Sequence, residues 1–302
     1  MDACLLIHDR SVSNIKNVLF TLEQGIKEVY STESKIIICK DIDSIDVGSS
    51  KYIFVIGEHF RRFTRIPGCY YIYINFSVVS LLGNPLNNSL RGLKLIFHKY
   101  LLLRSKMELF DTVLDYYPAQ TKKIKRTSRV PIFNFVPFIH PAYLPQYVPL
   151  ENRKFDVCFV GALTPRRQKI IQALQQAGCS ISPSSGVVAE EMSAKSRITL
   201  NIHMQRSNHL EIPRLLGAIS LSPVVTEISY GLADLMPENV IHTASYNDIV
   251  DCTLSLLNDK EKLQDMMTKA REWYIHTAVP KFHSQLVKAL AKIKTDGSAQ
   301  VE

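Results

Sequence analysis

The sequence predicts an α/β protein of two domains, each a parallel sheet covered by helices. Short apolar segments of the strand type alternate with amphipathic helical segments in both halves of the chain, which is typical of parallel sheets buried on both faces. A proline-rich stretch at residues 137–149 separates the halves. With 302 residues, 46% of them hydrophobic, the chain is long enough to form two packed cores.

In the first half, residues 1–136, the best supported element is a helix over residues 12–30. Apolar side chains recur there at steps of three and four, which marks one face packed on a sheet. The other predicted elements are strands over 5–8, 35–39, 52–56, 70–74, 110–114 and 130–136, and helices over 90–105 and 119–126. Together they form a first domain.

The second half repeats this alternation after a linker at residues 137–150, whose prolines make it semi-rigid. Its predicted elements are strands over 156–160, 198–202, 222–227 and 240–243, a helix from residue 165, and helices over 213–219, 246–257 and 260–273. They form a second domain at residues 151–275. Residues 276–302 are predicted to hold an amphipathic helix over 280–294 and a loose tail from Thr295.

Composition narrows the function classes. A net charge of +8 and a pI near 9.1 favour an anionic partner or an anionic surface. No run approaches the roughly 18 apolar residues of a membrane span, and the amino terminus lacks a secretory signal pattern, so a cytoplasmic protein is expected. The six cysteines show no C-x-x-C spacing, which indicates reduced cysteines and no zinc site.

The most informative pattern is a strand followed by Gly161-Ala-Leu-Thr-Pro-Arg-Arg167 and a helix. Gly161 allows close approach of the backbone to a ligand, and Pro165 suits the first turn of a helix. Arg166 and Arg167 stand beside the unpaired N–H groups and the positive end of the helix dipole, which favours a bound phosphate. The alternative is a solvated arginine pair on a surface helix.

Two polar segments follow this pattern. Lys195-Ser-Arg-Ile-Thr-Leu-Asn-Ile-His203 contains a short strand that ends at His203, and Glu211-Ile-Pro-Arg214 opens a helix. Ligands collect at the carboxyl ends of strands in open α/β sheets, so His203 and Glu211 are predicted to lie at that edge. A second apolar strand then leads out through Thr226 and Glu227.

In this order and spacing the segments resemble the donor-binding half of GT-B glycosyltransferases, over about residues 153–275. The resemblance implies two Rossmann-like domains facing across a cleft, with C-terminal helices that cross back to the N-terminal domain. It also implies a nucleotide-sugar donor as co-substrate, no resident cofactor and no metal. The site residues that it implies are Gly161, Arg166 and Arg167 beside the donor phosphates, Lys195 and His203 near the sugar and phosphate, and Glu211 with Arg214 facing the nucleotide.

Two departures from the family pattern bear on the donor pocket. Many retaining members have two glutamates eight positions apart, whereas the position eight beyond Glu211 is Ile219. A glycine usually precedes the proline of the P-V-V strand, whereas Leu221 and Ser222 precede Pro223 here. The donor pocket is therefore expected to differ in shape.

A catalytic base is expected at a strand end of the first domain. Glu58, after Gly57 at the end of the 52–56 strand, is the first candidate, and Asp9, after the first strand, is the second; either could instead cap the turn or helix behind it. A basic strip interleaved with Phe60 and Phe63 follows Glu58 and could bind an acceptor or an anionic surface. Its polar members are His59, Arg61, Arg62 and Arg65.

These features predict a metal-independent glycosyltransferase that extends a glycan or lipid-linked glycan of a bacterial surface polysaccharide, peripheral to the inner face of the cytoplasmic membrane. One alternative is a phage-type DNA-base glycosyltransferase, whose basic surface would follow nucleic-acid phosphates. Another is a non-catalytic nucleotide- or glycan-binding protein, because the second glutamate is missing. A third, a dinucleotide-dependent oxidoreductase, is disfavoured because no G-x-G-x-x-G follows a predicted strand.

Overall fold

The computed structural model describes residues 2–31, 35–43, 45–56, 60, 63–76, 105, 107, 109–126, 128–204 and 210–301. These residues divide into two compact units, each with its own parallel sheet. The first unit holds the described residues up to Phe138 together with 281–301, and the second holds Ile139–Pro280. The predicted α/β class with two Rossmann-like domains is confirmed.

The first unit contains a six-stranded parallel sheet in the order β2-β1-β3-β4-β5-β6. Its elements are β1 (Asp2–His8), α1 (Asp9–Tyr30), β2 (Lys35–Cys39), β3 (Ser50–Ile56), β4 (Tyr70–Asn75), β5 (Thr112–Asp115), α2 (Pro118–Ile124) and β6 (Ile132–Asn134). The order reverses between β1 and β3, and ligands of α/β sheets bind at such a switch point. The helix predicted over 90–105 lies outside the described residues apart from Ser105.

The second unit contains a four-stranded parallel sheet in the order β10-β9-β8-β7, and Ile181 extends it by a parallel bridge to Val157. Its elements are β7 (Phe155–Cys158), α3 (Pro165–Gln176), α4 (Ala189–Ala194), β8 (Ser196–Asn201), α5 (Ile212–Ala218), β9 (Val224–Glu227), α6 (Leu232–Leu235), β10 (His242–Ala244), α7 (Ile249–Asn258) and α8 (Lys260–Trp273). The order reverses between β7 and β8, which puts a second switch point there.

The strands are apolar because helices cover the sheets. Residues 52–56 in β3 are fully buried, and so are Ile198, Leu200 and Val225 in the second sheet. The proline-rich segment has two short 3₁₀ turns, Pro141–Tyr143 and Leu150–Asn152. The boundary between the units falls within this segment, after Phe138.

The last helix, α9 (Val279–Val301), follows a π-helical turn and returns to the first unit from Lys281 onward. The return that the resemblance implied is therefore confirmed. The prediction of a loose tail from Thr295 is wrong, because the helix continues along the first sheet. The hydroxyl of Tyr52 donates to the Lys294 carbonyl at 3.1 Å, and a Cβ on Gly297 would lie 2.7 Å from the Tyr52 ring.

All six cysteines are free thiols. Within the described ranges, none of the helices is both long and apolar enough to cross a lipid bilayer.

Candidate functional site

The candidate site lies at the carboxyl edge of the second sheet, at the switch point between β7 and β8. The chain reaches this edge four times: at Gly161 after β7, at His203 after β8, at Glu227, which ends β9, and at Tyr246 after β10. The structure brings six predicted residues together there, namely Gly161, Arg166, Arg167, His203, Glu211 and Arg214.

Gly161 has a φ of +142°, a backbone conformation that side chains with a Cβ rarely adopt. A Cβ at this position would lie 2.9 Å from Nη2 of Arg214 and 3.6 Å from Nη1 of Arg167. The missing side chain therefore lets two guanidinium groups approach the loop backbone.

The amino terminus of α3 opens onto the same loop. Pro165 occupies the first turn, and the Thr164 side chain makes no capping hydrogen bond. The first turn also has no acidic residue. The first N–H groups of a helix lack intrahelical acceptors, so this end keeps donors and a positive dipole for an anion.

Arg166 is held by a buried carboxylate and a ring. It forms a two-point ion pair with Glu227, in which Nη1 lies 2.6 Å from Oε2, and it also donates to the His203 carbonyl at 3.0 Å. Its guanidinium lies 3.8 Å from the centre of the Tyr246 ring. Its geometry is thus fixed before any ligand arrives.

Glu227 and Tyr246 were not among the predicted site residues. The sequence carried one usable signal for Glu227, an acid at the carboxyl end of an apolar strand. Tyr246 likewise follows a predicted strand, but the sequence carried no signal for its contact with Arg166, 80 residues away. Only the fold brings these two together.

Arg167 is buried, with 2% of its surface exposed. It donates to the carbonyls of Ile202 at 2.8 Å and Ala162 at 3.1 Å, and to Oε1 of Glu211 at 2.8 Å. Burial lowers the pKa of this guanidinium, and Glu211 opposes that shift. Arg167 therefore ties the loops after β7 and β8 to the start of α5.

Glu211 bridges two arginines. Its Oε1 accepts from Arg167, and its Oε2 pairs with Nη1 of Arg214. The same Nη1 lies 3.5 Å from Oδ1 of Asn201. In the described ion-pair network, three guanidinium groups face two carboxylates, Glu211 and Glu227, so this network carries one net positive charge.

His203 is a buried member of this network, with 3% of its surface exposed. Its backbone N–H donates to Oε2 of Glu227 at 2.6 Å, and its Nε2 lies 2.8 Å from the Ser229 hydroxyl. That hydroxyl donates to the Glu227 carbonyl at 2.8 Å, so Nε2–H is the donor to Ser229. Burial is the main cause of the lowered pKa of His203, which keeps the ring neutral at neutral pH.

Lys195 lies apart from the other six. It precedes β8, so it stands at the amino end of the strand whose carboxyl end leads to His203. A strand of six residues separates the two ends by roughly 20 Å. Lys195 is 51% exposed, and its Nζ lies 3.8 Å from Glu191. Its predicted contact with the donor sugar and phosphate therefore does not fit its position.

The predicted residues of the first unit are only partly described. Asp9 begins α1, directly after β1, and its Oδ1 lies 2.9 Å from Nδ1 of His8. That nitrogen accepts from the Arg10 backbone N–H at 3.2 Å, and the buried Oδ1 of Asp9 receives no hydrogen bond. Arg65 pairs with Asp111 at 2.5 Å, before β4 and β5, at the amino edge of the sheet. Glu58, His59, Arg61 and Arg62 lie outside the described residues.

Among the described side chains there is no group of three His, Cys, Asp or Glu that could hold a metal ion. At this edge the described residues supply fixed cations, a helix terminus and hydrogen-bond acceptors.

No protein-family model matches the chain. Two curated relatives come from Acanthamoeba polyphaga mimivirus. The chain is 24% identical to uncharacterized protein L137 over 257 residues, which are 80% of this chain and 34% of L137. It is also 24% identical to uncharacterized protein L140 over 214 residues, 62% of this chain and 70% of L140. The chain thus spans about a third of the length of L137.

Several solved structures share the fold over nearly the whole chain. Anabaena HepE in complex with UDP-glucose matches with a TM-score of 0.63 and 12% identity, over 96% of this chain and 99% of HepE. An α-glucosyltransferase in complex with UDP and a 13-mer DNA containing an HMU base matches with a TM-score of 0.59 and 10% identity. The match covers 95% of this chain and 99% of the α-glucosyltransferase. TarM matches with a TM-score of 0.53 and 14% identity. The match covers 78% of this chain and 54% of TarM, so the chain spans about half of TarM. The two units are those of the GT-B fold.

Proposed function

Because the chain has the GT-B fold of glycosyltransferases, we propose that it transfers a sugar from a nucleotide-sugar donor bound at the carboxyl edge of the second sheet. The observation that carries this proposal is the approach of Arg214 and Arg167 to Gly161, beside the open first turn of α3, which carries Arg166. A diphosphate fits there because the site offers net positive charge and backbone donors.

The proposed role of this edge is to stabilise the leaving group. When the bond between the sugar and the nucleotide breaks, negative charge grows on the terminal phosphate. Arg166 and Arg214 would meet that charge with donors already held in place by Glu227 and Glu211. Arg167, whose side chain is only 2% exposed against 18% for Arg166, would act by positioning Glu211 and the Gly161 loop.

The proposed base for the acceptor hydroxyl is Glu58 or Asp9. They follow β3 and β1, the two strands that flank the switch point of the first sheet. No resident cofactor or metal is proposed, since the fixed guanidinium groups can supply the charge that a metal would provide.

The proposed acceptor is a glycan or a lipid-linked glycan, met at the inner face of the cytoplasmic membrane. DNA is a second candidate, because the α-glucosyltransferase solved with DNA has the same fold and because the cations of the α2 region are exposed. These exposed cations are Lys122, Lys125, Arg126 and Arg129. Binding to DNA would weaken steeply as salt rises from 50 to 200 mM, on the order of 10³-fold for about six phosphate contacts, whereas binding to a neutral glycan would not.

A thermal-shift screen tests the donor site. Wild type is heated with UDP, GDP, CMP, ADP, dTDP, NAD or NADP, with and without EDTA. We expect one nucleotide diphosphate or monophosphate to stabilise the protein, in EDTA as well. Arg166→Gln and Arg214→Gln should weaken that nucleotide about 10-fold or more, because each removes a charged donor.

Lys195→Gln is the matched control, since it removes one positive charge from the amino edge of the same sheet. Its nucleotide shift should equal that of wild type. Each variant is compared with its own unliganded Tm, so that a loss of stability is not taken for a loss of binding. Stabilisation by NAD or NADP alone, or equal shifts in all four proteins, would contradict the proposal.

A further inference from the structure

A cavity lies in the second unit between the proline-rich segment and the end of α8, and we call it the amino-edge cavity. Its volume is about 240 Å³, and it is half-open to solvent. Tyr147 lines it from the proline-rich segment, and Arg271 and Glu272 line it from α8. Ile275 and His276 complete the wall from the π-helical turn.

Two hydrogen bonds locate this cavity at the amino edge of the second sheet. Arg271 donates to the Ser220 carbonyl at 3.4 Å, and Ser220 precedes β9. Arg153, whose guanidinium lies 5.8 Å from the centre of the Tyr147 ring, donates at 2.7 Å to the carbonyl of Ser196, the first residue of β8. The proposed donor site lies at the carboxyl ends of the same strands, so the amino-edge cavity is a separate place.

Arg271 is half-buried, and most of its donors are unused. Its guanidinium lies 4.9 Å from the centre of the Tyr147 ring, which limits its orientation. Among the described residues, the Ser220 carbonyl is its one acceptor, at the long end of hydrogen-bond distance. A guanidinium has more N–H donors than one carbonyl can use, so Arg271 suits a ligand that brings acceptors.

Positive charge beside the cavity lacks an ion-pair partner. Arg153 has 8% of its surface exposed, and burial lowers its pKa to about 10, although the nearby Glu151 opposes that shift. Within the described ranges, no carboxylate forms an ion pair with Arg153 or Arg271. An acidic group placed in the cavity would therefore be stabilised by both guanidinium groups.

Glu272 and the Tyr147 hydroxyl give the cavity further polar groups. Neither forms a hydrogen bond with another residue of the described part of the chain. A carboxylate needs donors, and an ammonium group would be repelled by Arg271 and Arg153, so neutral hydroxyls are the donors that suit Glu272. The ligand that fits best thus combines an acidic group with hydroxyls.

The size and the wall of the cavity agree with a small ligand. A volume of about 240 Å³ is below the roughly 300–1,000 Å³ of sites for drug-sized molecules, which favours one sugar unit over a nucleotide sugar. The π-helical turn Tyr274–Ala278 is a rare geometry that is frequent at functional sites. It fixes Tyr274 on Ile139 by hydrogen bonds and brings Ile275 and His276 to the cavity wall.

We propose that the amino-edge cavity binds an acidic monosaccharide, phosphorylated or carboxylated, with its acidic group on Arg271 and its hydroxyls on Glu272 and Tyr147. This is a second ligand site, and it does not depend on the proposed donor site.

Calorimetry of the full chain tests the proposal with glucose 1-phosphate, glucose 6-phosphate and glucuronate, and so distinguishes the two acidic groups. Inorganic phosphate and glucose represent the two halves of the ligand. We expect at least one acidic sugar to bind about 10-fold or more tightly than either half. Arg271→Gln should weaken it about 10-fold or more, because it removes hydrogen bonds to a charged group. Arg271→Lys, which keeps the charge but loses the planar fork, should weaken it less.

Lys269→Gln is the matched control. It removes one positive charge from the same helix at an exposed residue that pairs with Asp265, outside the cavity wall. Its affinity for the acidic sugar should equal that of wild type. Arg166→Gln should also bind the acidic sugar as wild type does, and Arg271→Gln should keep the wild-type nucleotide shift. Circular dichroism and the unliganded Tm establish that each variant is folded.

Four results would overturn the proposal. They are no binding of any acidic sugar by wild type, equal affinities in Arg271→Gln and Lys269→Gln, binding of inorganic phosphate as tight as that of the sugars, and a loss in Arg166→Gln but not in Arg271→Gln. The last result would assign the sugar to the proposed donor site. A missing nucleotide shift in wild type would contradict the proposed function alone, so the two failures are distinguishable.

Discussion

Arg167 is a buried, charged residue that donates three hydrogen bonds to protein acceptors. Its donors are used by the carbonyls of Ala162 and Ile202 and by Glu211. A loop that binds a ligand needs such side-chain hydrogen bonds, because it lacks the regular backbone hydrogen bonds of a helix or a sheet. We therefore assign Arg167 to the support of the site.

Replacing Arg167 by alanine should destabilise the protein by about 3–5 kcal/mol, because a carboxylate and two buried carbonyls would lose their donor. Lys169→Ala, an exposed change in the same helix, should have little effect. Denaturant unfolding of both variants measures the difference. Equal free energies of unfolding would contradict the supporting role.

His203 makes stability depend on pH. Its folded pKa is lowered, mainly by burial, so between that pKa and the unfolded value of 6.5 the unfolded chain binds more protons. Its contribution to stability is therefore complete above about pH 6.5 and is lost as the pH falls below it. The variant His203→Gln keeps an N–H donor for Ser229 but cannot titrate.

The difference in Tm between wild type and His203→Gln should accordingly shrink as the pH is lowered from 7.5 to 5. Groups that titrate in both proteins cancel in this difference. A difference that stays constant over that range would show that His203 does not titrate differently on unfolding.

The sequence predicted individual site residues only where they lie close together along the chain, within one recognisable motif. Gly161, Arg166 and Arg167 belong to one loop and helix start, and Glu211 and Arg214 to another. Lys195 was assigned through its neighbours along the chain, although the strand after it carries the chain to the opposite edge. Glu227 and Tyr246 contact Arg166 from distant parts of the chain, and periodicity does not report such contacts.

At the scale of elements, α1 and α9 show packing that depends on a single missing side chain. Gly25 lies in α1 where a Cβ would be 2.9 Å from Cδ2 of Leu286 and 3.2 Å from Cδ1 of Leu290. Nearby, His283 pairs with Glu28 at 2.8 Å, and Nζ of Lys294 donates to the Val29 carbonyl at 2.7 Å. The two helices are thus in close contact along the first unit.

Gly25→Leu should lower stability, although leucine has a helix propensity about 1 kcal/mol better than glycine. The overpacking of α1 against α9 costs about 1–3 kcal/mol, more than that gain. Lys16→Leu, on the exposed side of α1, is the matched control and should be nearly neutral. A higher Tm for Gly25→Leu, measured by calorimetry, would contradict this packing.

Elements with strong periodic signals were predicted closely. The bounds of α8, residues 260–273, agree with the structure, because Asp259 caps its start through the Lys262 N–H. The tail was predicted wrongly because Thr295 and Gly297 are poor helix formers, and contact with Tyr52 and Tyr70 overrides that preference. Tertiary packing of this kind leaves no local signal.

At the scale of the whole molecule, the sequence predicted two domains from the proline-rich segment and the repeated alternation. It did not predict how the chain is shared between them. The second unit, Ile139–Pro280, is an insertion between two parts of the first, and Tyr274 fastens its start by accepting from the Ile139 N–H and donating to the Ile139 carbonyl, each at 2.9 Å. The resemblance to a known family supplied the return of α9, and the residues alone did not.

That return has a consequence for the integrity of the protein. A protease cut after Phe138 would divide the chain into two polypeptides, and the longer one would carry the second unit together with α9. Because α9 packs against α1 and Tyr52 of the shorter polypeptide, the pieces would stay associated without a covalent link. Each fragment would thus be incomplete by itself, because the last helix of the first unit would belong to the fragment that carries the second unit.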